Sequence, residues 1–355
     1  MNQQNNTTFS FKGQDIFIGL DVHKKNWKVT IRINKTEIKR FSMDPSPSQL
    51  SKYLQKNYPD GIHHCVYESG FCGYWIHRQL VELGIDNIIV NPADIPTSHK
   101  EKDRRDDKID SAKLARELEN GSLKGIYIPT PQQQSFRSAS RLRYQHRNHI
   151  TRIKNRIKMF LHLHGINIPE KYNSSYWSSG FIKWLGRVSF EYDYDKQYLD
   201  QYIEQMQYQR NLMTQVLLQM RDECKNNNVL KCVRSVTGLG TISAFTFYAE
   251  LIDMKRFKDL DHLASYVGLV PSKDSTGEKK GIKGLTPRYS RYVRYLLVEC
   301  AWRAIGSDPA LTAAYAEFTA RMTKQQAIIK IARKLLNRIR YVWLNEKMYV
   351  TGVVR

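Results

Sequence analysis

Residues 15–43 read DIFIGLDVHKKNWKVTIRINKTEIKRFSM, and this stretch decides the fold of the first part of the chain. Its apolar residues come in three β-type bursts, DIFIGLD, WKVTIRI and EIKRFSM, separated by polar turns, so three successive strands are expected. Working outward, a helix follows over Pro47 to Asn57 and a strand over His63 to Glu68 (HHCVYE). A helix near Tyr74 to Leu83 and a strand over Asn87 to Asn91 (NIIVN) come next. Strands and helices in this order define an α/β domain. The segment Lys108 to Glu119 closes it, with Ile109, Leu114 and Leu118 at helical spacing. Upstream, Met1 to Lys12 is rich in Asn, Gln and Thr and has no hydrophobic segment. Residues 1–14 therefore read as a flexible leader to a domain over 15–128.

Gly121 and the Pro129 to Pro131 region punctuate the chain before its composition changes. Between Phe136 and Pro169 there is no acidic residue, while Arg137, Arg141, Arg143, Arg147, Arg152, Lys154, Arg156 and Lys158 crowd the same stretch. Ile150, Ile153, Ile157 and Phe160 or Leu161 add an apolar stripe at three- and four-residue steps, which predicts a long basic amphipathic helix. A second long helix is expected from about Lys196 to Glu223, on Leu199, Ile203, Met206, Met213, Val216, Leu217 and Met220. The two pair either as a dimerising coiled-coil arm or as an antiparallel hairpin within one protomer, and residues 129–227 form this arm. Residues 228–355 form a third, mostly α-helical unit. It opens with VTGLGTISAFTFYAEL (Val236 to Leu251), continues in a Gly- and Lys-rich loop over Ser272 to Gly284, and resumes as helix at Arg291. Its last helix spans Gln325 to Leu344. The fold class is α/β followed by α.

A chain of 355 residues exceeds one compact core, so two or three folded units are expected. The 56 Lys and Arg against 34 Asp and Glu give a net charge of +22, which acts at long range on polyanions. Nucleic acid is the first partner to consider, ahead of a membrane surface. No apolar run approaches the roughly 20 residues that span a bilayer, and no secretory signal stands out, so a cytoplasmic protein is expected. The five cysteines, Cys65, Cys72, Cys224, Cys232 and Cys300, are scattered and never in a Cys-x-x-Cys pair, which argues against a disulfide framework or a zinc knuckle. No P-loop is present, so no ATP requirement is expected.

The chemistry-bearing residues are acidic. Asp21 ends a predicted strand in FIGLDVH and Glu68 ends another in CVYESG, where open α/β sheets place their ligands. Asp107 and Asp110 lie three apart at the start of a helix and share a face. Four converging carboxylates repel unless a cation neutralises them, and an oxygen-rich anionic site suits Mg²⁺ or Mn²⁺. Two such ions clamp both oxygens of a phosphoryl transfer. Read singly, each Asp is a cap or a solvated charge; the set of four is more specific.

GLDVHKKNW around Asp21, YESG around Glu68 and DDKIDSAKLA around Asp107 and Asp110 resemble the DEDD motif of transposases of the insertion-sequence-110 family, relatives of the Piv DNA invertases. The resemblance implies a RuvC-like, ribonuclease-H-like N-terminal domain. The family's Lys-Thr-Asp lead-in is here Arg105, Asp106, Asp107, with Ser111 where an Ala is usual, so Asp106 and Asp103 stand as alternates to Asp107. VTGLGTISAFTFYAEL is similar to the family's helix-hairpin-helix-like segment, with Thr237 where a Pro is common. A Gly-x-Gly turn opening a helix presents N–H groups to phosphate; a tight helix–helix turn without ligand is the equal alternative. GLVPSKDSTGEK and TPRYSRYVRYLLVECAW resemble the family's C-terminal transposase domain, whose serine attacks a DNA phosphodiester and forms a phosphoserine link. That role falls on Ser275, or on Thr276 by ungapped spacing from Pro271, with Ser272 behind both.

The resemblance further implies a DNA recombinase of a bacterial insertion sequence. Its site is a Mg²⁺-dependent composite of carboxylates and serine from different protomers, in a dimer or tetramer that joins donor and target DNA under a structured bridge RNA, acting at the nucleoid. Lys273, Lys279, Lys280, Lys283, Arg288, Arg291 and Arg294 are placed to bind phosphates, with Tyr289, Tyr292 and Tyr295 interleaved for stacking or packing. The basic arm suits RNA. His23, His63 and His64 read as surface groups or partners of other side chains, and His162 with His164 are too few for a metal site. Three other readings stay open: a junction nuclease using water, a DNA invertase of the Piv type, and an RNA-binding scaffold whose carboxylates are structural.

Overall fold

The computed structural model describes residues 10–96, 107–172, 177–276, 279–285 and 289–351, and gives no side-chain placement for 107–109, 272–276 and 279–284. The chain divides into two compact units, 1–128 and 129–355.

In the first unit, β1 (Asp15–Val22), β2 (Trp27–Ile33) and β3 (Thr36–Met43) follow one another as the sequence predicts. Asn34 and Lys35 both take positive φ, 50° and 62°, the geometry of a two-residue hairpin turn whose twist matches its strands. Then come α1 (Pro47–Asn57), β4 (Ile62–Glu68), α2 (Trp75–Glu82), β5 (Asp86–Val90) and α3 (Asp107–Glu119). Ser46 caps α1 by accepting from the Gln49 N–H, and Pro47 supplies the first helical φ. The five strands order as β3-β2-β1-β4-β5. β1 runs antiparallel to β2 and parallel to β4, and β4 parallel to β5. The strand expected at Asn87 starts one residue earlier, because Asp86 pairs with His64.

Both faces of this sheet are covered. Ile16, Ile18, Leu20, Val29 and Ile31 join Leu50 and Leu54 of α1 and Ile76 and Leu80 of α2 in one core. Leu114 of α3 packs with Val66, Val90 and Ile95 in another. At β1 the helix comes unusually close: a Cβ on Gly19 would stand 2.0 Å from the Ser111 carbonyl oxygen and 2.6 Å from the Ala115 nitrogen. Only glycine permits that approach. Phe11, which its sequence assigns to the leader, packs edge-on against Tyr58, and its N–H donates to the Pro59 carbonyl.

The second unit begins with α4 (Pro131–Leu163), which starts earlier than its apolar stripe because Thr130 and Gln133 form a capping box. The helix α5 (Ser179–Gly186) precedes α6 (Asp193–Asn226). α4 and α6 pair antiparallel within the chain, since His164 meets Asp195 and His146 Nδ1 meets Gln209 Oε1 at 2.7 Å. Ile153, Ile157 and Leu161 share a core with Leu199, Ile203 and Met206 and with Trp177, Phe181 and Leu185. The remaining helices are α7 (Asn228–Ser235), α8 (Thr241–Leu251), α9 (Leu260–Val267), α10 (Arg291–Ala304), α11 (Pro309–Thr319) and α12 (Lys324–Asn345). Ile331, Leu335 and Ile339 of α12 are fully buried in their core.

The loop expected over 272–284 is instead an antiparallel hairpin of β6 (Pro271–Thr276) and β7 (Lys279–Leu285). A strand pair rich in Lys and Gly has no apolar alternation, the signal by which strands are read. The Gly-x-Gly turn resolves toward packing. Gly238 has φ +88°, and a Cβ there would lie 2.5 Å from the Cys300 carbonyl oxygen on α10. The Gly240 N–H already donates to Ser243 Oγ at 2.8 Å. All five cysteines are free thiols. Among the described residues no helix is long and apolar enough to cross a membrane.

Candidate active site and nucleic-acid interface

Parallel pairing of β1 with β4 brings their C-terminal ends together, and the close seat of α3 on Gly19 brings the start of that helix to the same place. Asp21, Glu68 and Asp110 consequently line one cavity of about 140 Å³, with Ser69, Gly70, Phe71, Cys72 and Leu114. Burial, and then the charges of Asp110 and Asp21, push the Glu68 carboxyl above the usual carboxylate range, against a smaller opposing pull from Lys113. His23 Nε2 lies 2.9 Å from Asp21 Oδ2. Phe71, 64% exposed, offers a ring face at the rim, with the Lys24 ammonium 5.8 Å from its centroid.

The backbone of Asp107 opens α3 one turn before Asp110, and its side chain lies outside the described residues. The alternates Asp103 and Asp106 lie outside them too. Among the described residues no three His, Cys, Asp or Glu side chains come together tightly enough to hold an ion. The donor set nevertheless fits a hard divalent cation: three carboxylates share the cavity, and Glu68 among them is already disfavoured as an anion.

Sequence reasoning passed over the residues that support these carboxylates. Ser111, fully buried, places its Oγ 2.9 Å from the hydroxyl of Thr30 on β2. The Ser-for-Ala departure beside the motif thus has a partner across the helix–sheet interface. Lys113 was legible as a neighbour of Asp110, three residues on along one helix face. Gly19 carries no signal in a single sequence, since its contact is made with a helix more than ninety residues away.

The hairpin sets Ser275 opposite Lys280 and Thr276 opposite Lys279. The side chains of Ser272, Lys273, Ser275, Thr276, Lys279, Lys280 and Lys283, together with Arg288, lie outside the described residues. The arm's cations divide. Arg141 donates to both oxygens of Glu250, at 2.9 and 3.1 Å, and Glu250 is itself only 5% exposed. Arg143 is buried, with 8% of its surface exposed, so this cation does not face outward as its place in the basic run suggests. It falls on the apolar ridge of α4, three residues before buried His146 and seven before Ile150. Arg147, Arg152, Arg156 and Lys158 are exposed and Lys154 half-buried. On α10, Arg291 is exposed, while Arg294 stacks 3.3 Å over the Tyr289 ring and donates to the Gly268 carbonyl.

One unit thus gathers carboxylates and the other exposes cations, and comparison with known proteins gives the class. A transposase profile of the DEDD, IS110 type matches residues 18–166, and the profile of the transposase IS116/IS110/IS902 family matches residues 230–316. A putative transposase of Sinorhizobium fredii, y4qE, is 28% identical over 81% of this chain and 72% of its own length. The transposase for insertion sequence element IS1533 of Leptospira borgpetersenii is 25% identical over 68% and 70%. That for IS1328 of Yersinia enterocolitica is 24% identical over 80% and 82%. The chain belongs to the IS110/IS116/IS902 family of insertion-sequence transposases, and is an enzyme of DNA transposition.

Proposed function

We propose that the chain cuts and rejoins DNA through a divalent-metal site on Asp21, Glu68 and Asp110, with Asp107 as the fourth carboxylate, and that Ser275 is the nucleophile, with Thr276 its alternate. The observation that carries the metal site is the shared cavity: three carboxylates at strand and helix ends, with Glu68 held above its ordinary range by burial and its two acidic neighbours. A bound Mg²⁺ or Mn²⁺ ion polarises a phosphoryl oxygen and neutralises charge developing there. Asp21 and Glu68 hold their positions through the sheet, and His23 fixes one Asp21 oxygen. The sheet order β3-β2-β1-β4-β5, antiparallel then parallel, supports a ribonuclease-H-like domain. Phe71 offers a surface on which a base can stack.

The serine step rests on the resemblance of the DSTG segment. The Ser275 Oγ–P bond forms as a bridging P–O bond breaks; the hydroxyl proton leaves to solvent and the departing oxygen takes one up. Attack by the exchanged strand's hydroxyl reverses the step without net hydrolysis. On the same resemblance, the active form is a dimer or tetramer whose protomers share the centre, and donor and target DNA are selected by a bridge RNA.

Trapping on a nicked suicide DNA substrate tests the reading. A protein–DNA adduct that hot alkali releases, as expected of a phosphoserine ester, and that Ser275→Ala removes, supports it; loss in Thr276→Ala alone moves the nucleophile by one residue. Free ends with no adduct mean a nuclease using water. Asp21→Asn and Glu68→Gln are each expected to lower strand joining by on the order of 10³ in a chain that still folds. Unchanged joining in both sinks the metal site.

A further inference from the structure

The arm holds an electrostatic imbalance of the opposite sign. α4 has no acidic residue, and the acids of α6 sit towards its ends, at Asp193 to Glu204 and at Asp222 and Glu223, leaving 205–221 free of them. Antiparallel pairing lays this acid-free stretch beside the cations of α4. A hollow of about 540 Å³ opens there, lined by Arg147, Thr151 and Lys154 from α4, Arg210 and Thr214 from α6, and Trp177, with no carboxylate in the lining. Trp177 is 3% exposed, and the Lys154 ammonium stands 5.5 Å from its ring centroid. Arg210 spends one N–H on the Trp177 carbonyl at 3.2 Å, and Thr151 and Thr214 turn their hydroxyls to the carbonyls of Arg147 and Arg210. Burial, and then Arg210 and Lys158, hold the Lys154 amine below its ordinary range. Three cations from two helices therefore face one hollow that has no carboxylate among its described lining residues.

We propose that this hollow is a binding site for the phosphodiester backbone of a nucleic-acid strand, with Lys154 and Arg210 taking one phosphate and Arg147 its neighbour. The choice of a polyanion over a single carboxylate follows from repetition. Arg147 and Lys154 stand two helical turns apart, and the other flank of the pair carries Arg152 and Arg156 beside a second hollow of about 380 Å³. Gln205 and Gln209 line that second hollow, neutral side chains whose N–H groups can donate to phosphate oxygens. The site deepens the reading of the chain as a nucleic-acid enzyme and rests on it.

Binding of a short labelled DNA duplex, and of an RNA duplex of the same sequence, to the full chain is measured by anisotropy against KCl, with EDTA present. Among the described residues neither the Arg147 guanidinium nor the Lys154 ammonium donates a hydrogen bond, so the double substitution Arg147→Gln, Lys154→Gln tests the hollow while leaving the Arg210–Trp177 hydrogen bond in place. It is expected to weaken binding about tenfold and to reduce the salt slope by about 1 to 2. The comparison variant Lys196→Gln, Lys225→Gln removes the same charge from α6 cations already paired with Asp200 and Asp222, and the slope should stay put. Loss on RNA alone, on DNA alone or on both supports the site and names its occupant. If the two double variants behave alike on both probes while circular dichroism reports intact helix, the hollow binds no phosphate. Because the readout is binding without metal, an inert carboxylate site would leave it unchanged, so the two readings fail separately.

Discussion

The two ends of the first unit's sheet collect acids in different ways. At the N-terminal edge of the parallel strands, His64 stands between two carboxylates, with Nδ1 2.8 Å from Asp86 Oδ2 and Nε2 3.1 Å from Asp15 Oδ1. Burial lowers this imidazole's pKa, but the two carboxylates outweigh burial and hold it above its ordinary value. At the C-terminal edge, Asp21, Glu68 and Asp110 meet with His23 on one Asp21 oxygen and a weaker pull from Lys113 on Glu68, yet burial and the neighbouring carboxylates still drive Glu68 toward its neutral form. One edge balances its charge with a side chain and serves the fold. The other keeps its imbalance, which an added cation would relieve, and this is how a site is built at the expense of stability.

The largest expected effect breaks the comparison by moving the helix. Gly19→Ala puts a methyl group where the backbone of α3 lies, so Asp110 must shift away from Asp21 and Glu68. We expect a loss of about 3 kcal/mol in urea unfolding together with loss of strand joining. A variant that unfolds at the same urea concentration as the parent would mean α3 does not seat as described. Removal of one acid comes next. Glu68→Gln deletes a carboxylate that burial and like charge oppose, so the metal-free chain should melt higher, by about 3 °C, while the Mg²⁺-dependent rise in Tm shrinks. A lower melting point without metal would show that Glu68 already has a partner that balances it.

How much of this was legible follows from where each signal resides. β1, β2 and β3 announce themselves by alternation, and the carboxylates at strand ends and helix start by residue type and spacing. The GLDVH, YESG and DDKID segments named the family that the profiles match. What was not legible depends on partners distant in sequence. Ser111 looked like a departure from a motif until Thr30, 81 residues away, supplied its hydrogen bond. Arg141 looked like a free phosphate ligand until Glu250, 109 residues on, proved to hold it. The β6–β7 hairpin hid because its ladder is backbone and its strands, PSKDST and KKGIKGL, carry no apolar alternation.

The smallest effect sharpens the contrast at the balanced edge. The His64 pKa lies above its ordinary value in the folded chain. The stability it contributes is therefore fully present below the unfolded value, about 6.5, and is lost as pH rises through the folded one. Asp15 and Asp86 are more than half exposed, so solvent screens the pair and the contribution is small. Between pH 6 and 8 the Tm should fall by about 2 °C, and His64→Gln should flatten that slope without altering Mg²⁺-dependent stabilisation at the opposite edge. A slope that survives the substitution would assign the pH dependence elsewhere. A changed Mg²⁺ response would mean that the two edges, marked on β1 by Asp15 and Asp21, are not electrostatically independent.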